Sequence, residues 1–176
     1  NMNHIPRKRF GQHFLTDSSI IHQIISIIAA KPSDNLVEIG PGLGALTFPM
    51  LQHTKRLSVI ELDHDLALKL NAVSENDTKL TVYEGDALKF DFSTIGNPSH
   101  LLRLFGNLPY NISTPLLFHL LSYAHCIQDM HFMLQKEVVD RLAAHPHTSA
   151  YGRLSIMVQY QCAVTQLFSI PPTAFS

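Results

Sequence analysis

Apolar positions along the chain recur in two alternating rhythms. Between residues 16 and 30 they fall at 20, 21, 24, 25, 27 and 28, the spacing of one helix face, and Thr16-Asp17 ahead of them predicts an N-cap. Lys31-Pro32-Ser33-Asp34 breaks that helix. A short apolar run at 36–39 predicts a buried strand that feeds directly into glycines, and 45–53 predicts a second helix. The alternation continues with strand 57–61, helix 65–74, strand 80–84, strand 101–105, helix 114–123, strand 130–135, helices 136–144 and 152–160, and strand 163–168. Strands alternating with helices at this spacing predict an α/β fold, a mostly parallel sheet covered on both faces. No internal repeat, low-complexity segment or internal domain boundary interrupts it.

Composition narrows the class. Of 176 residues, 45% are apolar and 15% charged, a globular composition with room for one well-buried core. The longest apolar stretch, 20–30, is interrupted by His22, Gln23 and Ser26 and is too short to span a bilayer, and no secretory signal pattern opens the chain. Asn1 ahead of Met2 reads as a tag remnant. Cys126 and Cys162, far apart in sequence, predict two reduced, buried thiols and a cytoplasmic protein. The net charge of −1 is low for a nucleic-acid binder, and the eleven histidines add positive charge only well below neutral pH.

Candidate chemistry lies at the carboxyl ends of the predicted strands, where doubly wound sheets bind ligands. Glu38-Ile39-Gly40-Pro41-Gly42-Leu43-Gly44 is a strand, a glycine turn and a helix start. Such a turn by itself is shared by dinucleotide binders and methyltransferases. The G-x-G-x-G spacing and the acid at 38 suit a cationic sulfonium amino acid better than a pyrophosphate. Glu61, at the end of the second strand, can accept both ribose hydroxyls of an adenosine cofactor, with Leu62 beside it. Asp63 and Asp65 read as surface charge or helix capping. In Gly85-Asp86-Ala87, Asp86 can accept from an adenine amine and Ala87 can offer its N–H to the ring, although a plain turn is the commonest use of Gly-Asp.

The most specific feature is Gly106-Asn107-Leu108-Pro109-Tyr110-Asn111 after the fourth strand. The lone pair of an exocyclic adenine nitrogen is delocalised into the ring, so the amine is a poor nucleophile. Two acceptors, the Asn107 side-chain oxygen and the Leu108 carbonyl, can hold its two N–H groups and favour a more tetrahedral nitrogen. Pro109 stiffens the loop, and Tyr110 offers a ring on which a base stacks, worth roughly 1–3 kcal/mol.

Taken in order, the segments 9–15, 38–44, 85–87 and 106–115 resemble the ribosomal RNA adenine dimethyltransferases. Within them the chain is most similar to the bacterial small-subunit type, an assignment favoured by 107–116 and 135–142. The resemblance implies a Rossmann-like class I methyltransferase fold with a mostly parallel seven-stranded sheet. It implies S-adenosylmethionine as cofactor, with S-adenosylhomocysteine as product, and no metal. The expected reaction is N6,N6-dimethylation of two adjacent adenosines near the 3′ end of 16S rRNA, within the small ribosomal subunit and coupled to its biogenesis, by a monomer.

The resemblance also implies a division of the chain: a basic arm at 1–15 that contributes to the cofactor site and a catalytic domain at 16–176. In the arm, Gln12 and His13 contact the cofactor, with His13 standing where many members carry Asn, and Leu15 lines the same site through its backbone. Asn107 touches both cofactor and base, and Phe175 sandwiches the base opposite Tyr110. A small helical C-terminal domain is expected to be absent from residues 1–176, so that they keep a cofactor site but methylate poorly. The base must leave its stack to react, so an RNA loop or a partly assembled subunit is the expected substrate. Arg7, Lys8 and Arg9 are candidates for phosphate contacts, with Lys136, Arg141 and Arg153 behind them. Three other readings stay open at this point: a large-subunit rRNA methyltransferase, a nicotinamide-dependent oxidoreductase, and a non-catalytic ribosome-assembly factor.

Overall fold

A computed structural model describes residues 14–176. Along the chain run α1 (Ser18–Ile28), β1 (Asn35–Ile39), α2 (Thr47–Leu51), β2 (Leu57–Glu61), α3 (His64–Ser74), β3 (Leu80–Glu84), β4 (Leu102–Asn107), α4 (Tyr110–Leu121), β5 (Ile127–Met133), α5 (Lys136–Leu142) and α6 (Arg153–Gln161). The strands form one parallel sheet in the order β3-β2-β1-β4-β5. β1 lies in the middle and all five of its residues are buried, which is why Leu36, Val37 and Ile39 are apolar on both of its faces, with Asn35 and Glu38 as its polar members.

Alternation along β1 divides the core. Leu36 joins Ile25, Ile28, Met50, Leu57 and Phe105 on one face of the sheet, while Val37 and Ile39 join Phe92, Leu104, Leu116 and Leu120 on the other. A third cluster, with Leu117, Val138, Leu154 and Val158 at its centre, packs α4 against α5 and α6. Asp17 caps α1 as expected: its Oδ1 accepts from the N–H groups of Ser19 and Ile20 at 2.9 and 3.2 Å. At the amino ends of the strands, the buried Arg103 of β4 donates to Asp129, Asp34 and the Ile28 carbonyl at 3.0, 2.8 and 2.7 Å, joining β4 to β5, to the turn before β1 and to the end of α1.

Three expectations are corrected. α4 begins at Tyr110 rather than 114. Pro115 lacks the N–H that would return to residue 111, but the first turn is held by Ile112 N–H donating to the Pro109 carbonyl at 3.2 Å and Ser113 Oγ donating to the Tyr110 carbonyl at 3.0 Å. The sheet of the described residues has five strands, not seven, and 163–168 is irregular. A strand exists only where a neighbouring edge pairs with it, and β5, the edge nearest in chain order, pairs with β4 alone among the described residues. Cys126 is buried as expected, but Cys162 is only half-buried; both are free thiols. No helix of the described residues is long and apolar enough to cross a membrane.

Candidate active site

Strand order reverses at β1: the chain builds β2 and β3 on one side of it, then β4 and β5 on the other. Such a switch leaves a crevice beyond the carboxyl ends of the strands. The loops that meet there are tied by their backbones. Gly40 N–H donates to the Ile60 carbonyl at 2.9 Å and Gly85 N–H to the Glu61 carbonyl at 2.9 Å, holding the loops after β1 and β3 to the end of β2. A Cβ built on Gly40 would lie 3.7 Å from the Asn107 carbonyl oxygen, so the glycine loop rests against the end of β4. The predicted ligand-binding loops are therefore one surface.

The glycines are required by conformation. Gly40, Gly42 and Gly44 have φ of +67°, +58° and +91°, left-handed backbone that other residues adopt only at a cost. At Gly42 an added Cβ would also stand 3.0 Å from the Phe14 ring, so the inner end of the N-terminal arm lies on this loop. Leu15 pairs with Phe175 as an isolated antiparallel bridge, flanked by Thr16 N–H to Ala174 C=O and Ser176 N–H to Phe14 C=O, both 2.8 Å. In that arrangement Leu15's own N–H and C=O point away from Phe175. The half-buried Phe175 ring packs against the core cluster that contains Leu15 and Phe105. Arg7, Lys8, Arg9, Gln12 and His13 lie outside the described residues.

Two buried carboxylates stand behind the glycine loop. Glu38 is 2% exposed, and its Oε1 accepts from Thr47 Oγ at the start of α2 at 2.5 Å. Glu61, 3% exposed, accepts from Gly42 N–H at 3.0 Å on one oxygen and from Asp63 N–H at 2.9 Å on the other. Asp63 caps α3, accepting from Asp65 and Leu66 N–H at 2.9 and 3.1 Å. Burial pushes the Glu38 carboxyl up to about 8, against the bond from Thr47 and with the nearby Glu61 charge adding to the rise. Burial also raises Glu61, opposed by the backbone N–H groups of Asp63 and Gly42.

These shifts have a fixed sign. A carboxyl whose folded value is raised stabilises the fold in its protonated form, fully below about 4.5, and that contribution is lost as pH rises through about 8. Thermal or urea unfolding of the ligand-free protein should show stability falling between these limits, by at most about 1.4 kcal/mol per pH unit for each such group. In Glu38→Gln the decline should become shallower. An identical pH profile in the variant would show that Glu38 ionises normally.

On the other side of the crevice, Asp86 is half-buried and its Oδ1 accepts from Leu88 N–H at 2.9 Å, the turn role that the Gly-Asp pair suggests by itself. Ala87 is buried, whereas Leu62 is 48% exposed at the rim. Asn107 is the half-buried last residue of β4, in register with Met133 of β5. Leu108 is buried and donates its N–H to the Met133 carbonyl at 3.2 Å. Pro109 occupies the N-cap position of α4 with φ of −58°. Tyr110 is 54% exposed, its hydroxyl 3.5 Å from Glu137 Oε1 of α5.

A sequence profile of the family described as "Ribosomal RNA adenine dimethylase" matches residues 3–176, nearly the whole chain. The chain belongs to that family. It is similar to "Ribosomal RNA small subunit methyltransferase A" of Vibrio vulnificus, with 58% identity over 99% of this chain and 65% of the relative. The chain thus spans just under two thirds of the length of such curated relatives. Among solved structures it is similar to a dimethyladenosine transferase from Plasmodium falciparum, with 35% identity, a TM-score of 0.71, and coverage of 84% of this chain and 52% of that one. A 23S rRNA methyltransferase, ErmE, shares the fold, with a TM-score of 0.63 at 24% identity over 73% of this chain and 50% of its own. The Rossmann-like methyltransferase architecture is therefore established.

Within this family frame, two partners of the site escaped the sequence reading. Thr47 holds Glu38, and Glu137 meets Tyr110. Neither lies in a glycine turn or a strand end, and each reaches its partner through packing between elements.

Proposed function

We propose that this chain carries the cofactor and base sites of an S-adenosylmethionine-dependent methyltransferase of the cytoplasm. It dimethylates N6 of two adjacent adenosines near the 3′ end of 16S rRNA, in the small ribosomal subunit, as a monomer. The observation that carries the reading is the packing of Gly40 against Asn107: it sets a loop suited to the cofactor beside a motif suited to an adenine amine.

The residues fit that cofactor. When bound, S-adenosylmethionine supplies a methyl group made electrophilic by a sulfonium, so positioning is the protein's main task and no metal is called for. Gly40, Gly42 and Gly44 keep the loop free of side chains where the methionine part lies. Glu38, whose buried carboxyl holds its proton at neutral pH in the free protein, gives that proton up beside the positive charge of the cofactor and then faces it as a carboxylate. Each Glu61 oxygen already accepts one backbone N–H and has a second lone pair for a ribose hydroxyl. Leu62 covers the ribose edge, Asp86 and Ala87 receive the adenine ring, and the backbone of Leu15, turned away from Phe175, closes the site with Gln12 and His13 of the 1–15 arm.

For the substrate, the Asn107 side-chain oxygen and the Leu108 carbonyl accept the two N–H groups of the amine and direct its lone pair at the methyl. Pro109 fixes the loop, and Tyr110 and Phe175 hold the base between their rings. Arg7, Lys8 and Arg9 contact phosphates.

The test uses the full gene product with radiolabelled S-adenosylmethionine and small subunits lacking the modification, with nucleoside analysis of the RNA. Dimethyladenosine at two adjacent positions is the expected product. Transfer to large-subunit RNA alone would overturn the substrate, and an absence of cofactor binding would overturn the whole reading. Within the same assay, Tyr110→Phe should stay near wild type, because the stacking face is kept, whereas Tyr110→Ala should raise KM for RNA by roughly 5- to 150-fold, the loss of about 1–3 kcal/mol of stacking.

A further inference from the structure

Beyond Tyr110, the first turn of α6 meets α4 and α5 around a cavity of about 180 Å³ lined by Thr114, Phe118, Arg141, Gly152, Arg153 and Ser155 among others. Two guanidinium groups flank it. Arg153 is exposed, and its guanidinium carbon lies 5.1 Å from the centre of the Phe118 ring, a stack that holds a flat cation in place on the surface. Arg141 comes from α5; its Nε is buried and donates to no acceptor among the described residues. A buried N–H in that state is costly, and because Arg141 lines the cavity, a small turn of its side chain toward an anion held there relieves that cost.

The backbone adds to this. The N–H groups of a helix's first turn lack intrahelical acceptors, and the first turn of α6 lines the cavity. Ser155 Oγ accepts from Gly152 N–H at 3.2 Å, fixing that turn, and a Cβ on Gly152 would meet nothing within 4 Å, so the rim is open there. The charge, the planar donors and the volume together suit a phosphate group.

The cavity adjoins the base site. Thr114 stands one helical turn beyond Tyr110 on α4. Glu137 Oε1 lies 3.5 Å from the Tyr110 hydroxyl and 3.9 Å from Arg141 Nη2, so one carboxylate oxygen bridges the tyrosine and the cavity. The Arg141–Glu137 pair is exposed and loose, and gives way readily to a stronger acceptor.

We infer that this cavity is a phosphate-binding subsite, with Arg141 and Arg153 as its ligands, for the RNA strand whose adenine lies on Tyr110. The inference rests on the proposed RNA methyltransferase activity. It gives the strand a second point of hold, so the base enters the site in a defined register.

The experiment measures binding of a fluorescent single-stranded RNA bearing two adjacent adenosines to the full gene product across a salt series. Arg141→Gln, Arg153→Gln and the double variant are compared with Arg56→Gln, an exposed arginine just before β2 at the opposite end of the sheet. The double variant should lose about 10-fold in affinity near physiological salt, and its log K against log[salt] slope should flatten by about 1.4, two contacts at roughly 0.7 each. KM for RNA should rise with kcat retained at saturating RNA, and cofactor affinity and melting temperature should match wild type. Arg56→Gln should leave slope and affinity unchanged. If the double variant melts low, Arg153→Gln alone, on the surface, should still flatten the slope by about 0.7. Wild-type affinity and slope in a folded double variant, or in Arg153→Gln, would overturn the subsite. A wild-type protein that neither binds nor methylates RNA would bring down the activity itself, and the subsite with it.

Discussion

Asn107→Ala is expected to lower kcat for methyl transfer by on the order of 10²–10³ while the protein stays folded, the loss of about 2.7–4 kcal/mol of transition-state stabilisation. The reason lies in the proposed substrate. An adenine amine becomes nucleophilic only as its nitrogen pyramidalises, and acceptors aimed at its N–H groups favour that shape more in the transition state than in the ground state. In the proposed role Asn107 is held by its backbone: it ends β4 in register with Met133, and Leu108 N–H, donating to the Met133 carbonyl at 3.2 Å, keeps the strand end paired. Alanine keeps the strand and removes one acceptor. Single-turnover rates with saturating RNA and cofactor separate this loss from weaker binding, which should change less than about tenfold because Glu38 and Glu61 remain. A rate within threefold of wild type would remove Asn107 from the chemistry.

Gly106→Ala should produce the largest loss of stability among these variants. A Cβ at 106 would stand 2.3 Å from the Ile39 carbonyl oxygen and 3.3 Å from its carbon. The obstacle is backbone in the central strand, so no rotamer relieves it, and β1 and β4 must separate at the point where both enter the site. Overpacking of this kind costs about 3 kcal/mol, which for a chain of this size lowers Tm by roughly 6–12 °C. Cofactor affinity should fall as well, because moving Ile39 moves Gly40. An unchanged melting temperature would mean that the strands part at this end without cost.

Much of the candidate site was legible because its pattern is local. The glycine turn at 40–44 reads from sequence because φ above zero favours glycine, and the three positive φ values within this turn fall on Gly40, Gly42 and Gly44. The run at 107–110 reads because an acceptor, a stiff proline and an aromatic ring in adjacent positions have few other uses. Element types followed from periodicity for the same reason. Boundaries were less legible: the pattern predicted a helix from 114, whereas bonds within the first turn of α4 carry it from Tyr110.

What the sequence determined by itself was the alternation of strand and helix, the placing of Glu38, Glu61, Asp86 and Asn107 at strand ends, and the family. Only the tertiary structure decided which side of β1 each later strand takes, the packing of Gly40 against Asn107, the burial that lifts Glu38 to about 8, and the meeting of Tyr110, Glu137 and Arg141. It also decided that 163–168, apolar enough for a strand, stays irregular among the described residues. The physical reason is common to all of these. Periodicity and φ preference act over a few neighbouring residues, while sheet order, desolvation and strand pairing depend on residues distant in the chain that become neighbours only on folding.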